Sequence, residues 1–277
     1  MNQDPEIKIL VACHNSSPDI RHEYPYVPIQ VGKVLHSDID LGFIGDNTGD
    51  NISEKNASYC ELTALYWGWK NLKNTAIKGL THYRRYLKLS PEHIKKYLHE
   101  YDLIIPTLIY RPWNVAIELT IWTSLEDTYR LIDILKLKYP EHGPLIDEYF
   151  MTNNRFSRLN MLIAPATIYD EYCEFLFDIL SEFEKDYKPY SFSRQRRIMG
   201  YLSEPLLGLW IKLTGKKAKG VRLDDNADYS FRMRILEWRY NLAYHMYQGL
   251  FHKAKPYYYP AVVNALRHDG FNLSTLP

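Results

Sequence analysis

The stretch Ile77 to Tyr86, I-K-G-L-T-H-Y-R-R-Y, sets a short apolar run against His82, Tyr83, Arg84, Arg85 and Tyr86. The run reads as a strand, and its end is loaded with cations. In open α/β sheets ligands bind just outside the carboxyl ends of the strands, and the planar guanidinium matches phosphate oxygens. The first expectation is therefore a site that handles a diphosphate, with surface-paired arginines as the plain alternative.

Working outward, Ile7 to Cys13 (I-K-I-L-V-A-C) is a nearly continuous apolar run ending in His14, Asn15 and Ser16, as expected of a buried parallel strand followed by a loop. Pro25 to Pro28 reads as an irregular link, and Leu41 to Ile44 as a second strand. From Ala57 to Lys73, Leu62, Leu65, Tyr66, Trp69 and Leu72 recur at helical spacing, with Ser53 or Ser58 as the cap. Helix is expected over Pro91 to Tyr101 and strand over Leu103 to Ile105, an alternation that favours a mostly parallel α/β sheet. Helices follow at Leu125 to Lys138, Pro144 to Met151, Ala166 to Phe183 and Arg197 to Lys212, the last stopped by Gly215, with a buried strand at Leu159 to Ala164. Beyond Lys216 to Lys219 the pattern turns helical and rich in Arg, Trp and Tyr. A main domain over 1–219 and a helical C-terminal extension over 220–277 are expected.

With 277 residues and 46% hydrophobic composition the chain can bury a large core. Its 34 basic and 33 acidic side chains leave a net charge of +1, so no global field draws it onto nucleic acid. Any anion site must be local. Cys13, Cys60 and Cys173 show no metal or disulfide spacing, which suits a reducing cytoplasm. No secretory leader is expected from M-N-Q-D-P-E-I-K, and no run reaches the length of a membrane span.

Asp46 to Asn51 (D-N-T-G-D-N) reads either as a divalent-cation loop or, better, as an Asx-rich turn. Asp38-Ile39-Asp40 spells D-x-D but precedes an apolar strand instead of following one. Glu204, in G-Y-L-S-E-P-L-L, is the best candidate for a general base; Ser203 and Pro205 suggest that it begins a helix, whose dipole would keep it ionised or which it would simply cap. Arg194, Arg196 and Arg197 form a second basic cluster, to orient a phosphate or to solvate a loop. His14, Asn15 and Asn160 stand at strand ends, as ligands or as satisfied structural groups. No dinucleotide fingerprint, Walker loop, nucleophile elbow or zincin motif occurs.

Taken in order, I-L-V-A-C-H, V-P-I-Q-V-G, G-D-N-T-G-D-N-I-S-E-K-N, Y-C-E-L-T-A-L-Y-W-G-W-K-N, T-H-Y-R-R-Y, D-E-Y-C-E-F-L-F-D-I-L and M-G-Y-L-S-E-P-L-L-G-L-W resemble a bacterial family of capsular and exopolysaccharide biosynthesis proteins regarded as glycosyltransferases, long of unknown function. The resemblance runs from about residue 7 to 213. It implies a GT-A-like, Rossmann-like sheet and a UDP-sugar donor, galactose or galactofuranose, with a glycan or lipid-linked saccharide as acceptor. It implies that Cys13, His14 and Asn15 border the uridine, that Asn51 to Glu61, Asn56 included, line the nucleotide side, and that His82, Tyr83, Arg84 and Arg85 occupy the usual D-x-D position. Asn160 then lies near the sugar and Glu204 in the family's L-S-E-R-L-L motif. Pro205 departs from that motif's arginine, and I-E-L-T-I-W-T-S over Ile117 to Ser124 departs from its usual histidine and tyrosine. The expected mechanism is inverting displacement with Glu204 as base and His82 and Arg84 assisting. The arginines would replace a required metal, with Mg²⁺ or Mn²⁺ as the alternative. A non-catalytic nucleotide-sugar-binding subunit and a phosphate-ester hydrolase are the rivals. The basic, aromatic C-terminal part suggests either a helical cap or peripheral docking on the inner face of the cytoplasmic membrane.

Overall fold

The computed structural model describes residues 6–187, 195–224 and 231–251. The strands are β1 (Ile7–Cys13), β2 (Tyr26–Gln30), β3 (Ile44–Gly45), β4 (Ile77–His82), β5 (Tyr86–Leu87), β6 (Leu103–Pro106), β7 (Ile109–Tyr110), β8 (Arg155–Phe156), β9 (Leu162–Pro165), β10 (Ala218–Val221) and β11 (Leu223–Asp224). The helices are α1 (Asn56–Tyr59), α2 (Leu62–Asn71), α3 (Pro91–Glu100), α4 (Val115–Trp122), α5 (Leu125–Lys138), α6 (Gly143–Met151), α7 (Ala166–Glu184), α8 (Ile198–Thr214) and α9 (Phe231–Phe251). Seven strands form one sheet in the order β10-β6-β9-β4-β1-β2-β3. All of its pairings are parallel except those of β9, which runs antiparallel to both β4 and β6. The ribbons β5–β11 and β7–β8 stand apart from it.

The continuous apolar run of β1 is explained by burial on both faces. Leu10 and Ala12 enter one core with α2, α7 and α8, while Ile9, Val11 and Cys13 enter another with Ile94 of α3. Lys78 is buried in β4 and pairs with Asp170 of α7 at 2.8 Å. Gly68 lets α2 approach closely, since a Cβ there would lie 2.8 Å from both Leu10 Cδ1 and Tyr169 Oη. Ser90, Asn114 and Ser124 cap α3, α4 and α5 by accepting from His93, Ile117 and Asp127 amides. Gly215, at φ +68°, closes α8 as expected.

Several expectations require correction. Pro25 to Pro28 is no irregular link: β2 runs through Pro28, and because β3 pairs only at Ile29 and Gln30, Pro28 stands at an edge, where a sheet tolerates a missing N–H. The Leu41 to Ile44 strand shrinks to Ile44–Gly45. The helix expected from Ala57 breaks at Cys60, at φ +52°, whose carbonyl is taken by Asn56 Nδ2 at 2.7 Å and Thr63 Oγ1 at 3.1 Å. Neither Ser53 nor Ser58 caps it, Ser53 being committed to Asp46. The strand expected from Leu159 begins at Leu162, after a turn in which Leu159 (φ +78°) and Asn160 (φ +51°) are both left-handed. The sheet also extends past Gly220, because β10 reaches Val221. Among the described residues no helix is long and apolar enough to cross a membrane.

Candidate active site

The carboxyl ends of β1 and β4 open onto a cleft of about 1220 Å³. Because β9 is antiparallel, with Leu162 opposite Leu80, the turn that precedes it reaches the same edge. The break at Cys60 aims Glu61 into the cleft, and the middle of α8 closes the far wall with Tyr201 and Glu204.

One end is cationic. His14, Arg84, Arg85 and Arg197 line it, and Arg84 lies over the Tyr83 ring at 4.7 Å, which meets His14 edge-on at 5.1 Å. Among the described residues Arg84 and Arg85 have no ion-pair partner, whereas Arg21 is held by Asp224 at 2.6 Å and Arg111 by Glu118 at 3.1 Å. Burial, and then the positive charges of Arg84 and Arg197, hold His14 below the ordinary imidazole value. That crowding marks a local positive field on a chain that is nearly neutral as a whole.

The centre is a clamp around the strained turn. His82 Nε2 donates to the Leu159 carbonyl at 2.7 Å, the Leu159 amide donates to Glu204 Oε1 at 3.3 Å, and Asn160 Nδ2 donates to Glu61 Oε1 at 2.8 Å and to the Gly200 carbonyl at 3.2 Å. Consecutive left-handed residues without glycine cost energy, and these interactions hold them in place. Glu204 accepts that single amide in a partly buried position. Burial, followed by the negative charge of Glu61, raises its carboxyl from 4.5 to about 7, against the opposing pull of the Leu159 amide and Arg158. A carboxyl poised there exchanges protons at neutral pH.

The structure brings His14, Asn56, Glu61, His82, Tyr83, Arg84, Arg85, Arg197 and Glu204 to one cleft. Asn160 lies just behind it and positions Glu61. Three residues belong elsewhere. Cys13 is buried in the core, its thiol pushed up to about 12 by that burial. Asn15 is exposed outside the cleft, and Asn51 bonds within its own turn to the Gly49 carbonyl and the Ser53 amide. Glu204 does not begin a helix: it sits in the seventh position of α8, with Pro205 inside the helix, so burial and not a helix N-terminus governs its charge. Arg194 lies outside the described residues.

The other end of the cleft is lined by Arg111, Glu118, Trp122, Phe156, Arg158 and Tyr201; the sequence reading singled out only Ile117 to Ser124 there, as a departure from the family pattern that bears on acceptor or sugar specificity, and did not place the others. One signal was present: Glu118 is the lone carboxylate in the apolar run V-A-I-E-L-T-I-W.

The Asp46 loop is an Asx-rich turn, with Asp46 accepting from the Gly32 and Lys33 amides and the Ser53 and Thr63 hydroxyls. Divalent cations take several oxygen ligands, and the cationic strand end presents His82, Arg84 and Arg85, a donor set that does not fit one. Among the described residues no group of three His, Cys, Asp or Glu side chains is placed to hold a metal.

A family model described as "Domain of unknown function (DUF4422)" matches residues 8–217. Among solved structures, the apo form of WbbM, a bifunctional glycosyltransferase, superposes with a TM-score of 0.68 at 27% identity, over 79% of this chain and 45% of that one. This chain therefore spans less than half of that protein's length. No curated protein matches. The sheet and its flanking helices are GT-A-like α/β, as the sequence reading anticipates.

Proposed function

Since this chain belongs to the DUF4422 family, we propose that it is a glycosyltransferase moving galactose or galactofuranose from a UDP-sugar to a glycan or lipid-linked saccharide in surface polysaccharide synthesis. The observation that carries this reading is the pairing, in one cleft, of the strand-end cations Arg84 and Arg85, which have no ion-pair partner among the described residues, with a buried carboxyl raised to about 7. Its neighbour's description as a glycosyltransferase supports the same reaction class.

In this mechanism the bond from the anomeric carbon to the UDP oxygen breaks as the acceptor oxygen attacks from the opposite face. Arg84, Arg85 and Arg197 balance the charge gathering on the leaving diphosphate, an effect strengthened in a partly dry cleft. Glu204 takes the proton of the attacking hydroxyl, and one such base suffices for inversion. His82 holds the Leu159 carbonyl, and with it the amide that orients Glu204. Fixed cations take the place of a required metal. The acceptor would be met at the inner face of the cytoplasmic membrane, approached from the cytoplasm.

The test is a screen of UDP-sugars for UDP release with pure protein and saccharide acceptors, with and without EDTA. Turnover that survives EDTA is expected. Activity that vanishes with EDTA and returns only with Mg²⁺ or Mn²⁺ would remove the metal-free mechanism, and tight UDP-sugar binding without turnover on any acceptor would make the chain a binding subunit.

A further inference from the structure

The aromatic end of the cleft is built, not incidental. Glu118 and Trp122 stand four residues apart on α4, and Tyr201 and Glu204 three apart on α8, so each helix offers one ring and one carboxylate to the same space. Trp122 and Tyr201 stack with ring centroids 5.4 Å apart and planes at 28°. The buried Glu118 is held by three donors, Arg111 Nε at 3.1 Å, Trp113 Nε1 at 2.5 Å and Trp122 Nε1 at 3.4 Å. Between Glu118, Trp122, Phe156, Tyr201 and Glu204 lies a void of about 10 Å³, adjoining the main cleft and close to the volume that one hydroxyl or water oxygen needs.

Flat rings carrying polar handles suit the C–H faces of a sugar, and a carboxylate locked by a guanidinium suits its hydroxyls. Arg111 pairs with Glu118 and Arg158 acts on Glu204, with Arg197 at the border 5.7 Å from the Tyr201 ring, so this end carries both signs where the other carries one, and it favours a ring without net charge. Resting on the glycosyl-transfer reading for its role, the geometry points to an acceptor subsite: an uncharged pyranose lies against Trp122 and Tyr201, with its attacking hydroxyl seated in the void between Glu118 and Glu204. The attacking oxygen then meets Glu204 from the side opposite the diphosphate, and α4 becomes the element that sets acceptor choice.

The test is saturation-transfer NMR on the full chain with methyl β-D-galactopyranoside at tens of millimolar, alone and with UDP, and with methyl β-D-galactopyranosiduronate as the charged control. Saturation concentrated on the C–H protons of one ring face, retained or increased when UDP is added and weaker for the uronate, is the expected result. In Trp122→Ala the pyranoside affinity should fall about tenfold while calorimetric UDP affinity holds; Trp122→Phe, which keeps a ring but loses the N–H to Glu118, should fall less. Displacement of the pyranoside by UDP, no binding to the unaltered protein, preference for the uronate, or equal binding by both variants would overturn the subsite. Pyranoside binding that depends on Trp122 in a protein that binds neither UDP nor any UDP-sugar would leave the subsite standing and sink glycosyl transfer instead.

Discussion

The loop that carries Asp46 and the turn of α8 that carries Glu204 both take a carboxylate out of water, by opposite means. Asp46 is fully buried and meets two amides and two hydroxyls, so its charge is spent on fastening the loop 46–53 to Gly32, Lys33 and α2. Glu204 receives one amide and faces a second carboxylate. Asp46 is thus a fastening group, whereas burial and the charge of Glu61 raise the Glu204 carboxyl to about 7.

The largest expected effect falls on the satisfied member. Asp46→Ala leaves the Gly32 and Lys33 amides and the Ser53 hydroxyl without this acceptor and should cost about 3 to 5 kcal/mol in denaturant unfolding; a loss below about 1 kcal/mol would mean that water replaces the carboxylate and the contrast fails. Next, Glu204→Gln should lower turnover at least about a hundredfold, equivalent to roughly 2.7 kcal/mol, with UDP affinity nearly unchanged. Near-normal turnover would mean that another carboxylate serves as base.

The same substitution should stabilise the fold. With a folded-state value raised from 4.5 to about 7, the carboxyl contributes stability that is complete below 4.5 and disappears as the pH rises through 7. Replacing it with a neutral amide should therefore raise stability by roughly 3 kcal/mol at pH 8 and leave it nearly unchanged at pH 4, by urea titration at both values. A gain of equal size at both would trace to packing and not to charge. The smallest effect is on the pH profile: because the base must be ionised, kcat/KM for the acceptor should rise about tenfold between pH 6 and pH 8 and then level. A flat profile across that range would detach the rate from Glu204.

Much of this contrast was legible in the residues, and the failures have physical causes. The strand Ile7 to Cys13 and the helices at Leu125, Ala166 and Ile198 carry long periodic patterns or clear caps and stops, and T-H-Y-R-R-Y announced the cationic strand end. Pro205 misled because proline usually opens a helix, whereas here it is carried inside α8 by the core contacts of Leu202, Leu206 and Leu209. The break at Cys60 was hidden because Asn56 and Thr63 stabilise it without disturbing the apolar stripe of α2. Direction is invisible in an apolar run, so nothing in L-N-M-L-I-A showed that β9 runs against its neighbours. The Trp122 and Tyr201 end had no local motif, because its residues arrive from α4, β8 and α8 and meet only in space.

That reversed strand has a consequence for assembly. Through the turn before it, Asn160 reaches Glu61 across 99 positions of chain, Leu159 reaches His82 across 77, and Leu159 reaches Glu204 across 45. Closures of that span cost entropy before they return any contact, so no fragment or early intermediate of the chain carries the completed clamp. A nucleotide that recognises the clamp binds only the finished fold, and at about a hundred times its Kd it adds roughly 2.7 kcal/mol to global stability by mass action. On the glycosyl-transfer reading, substrate supply would then bear on how much of the folded protein persists as well as on its rate.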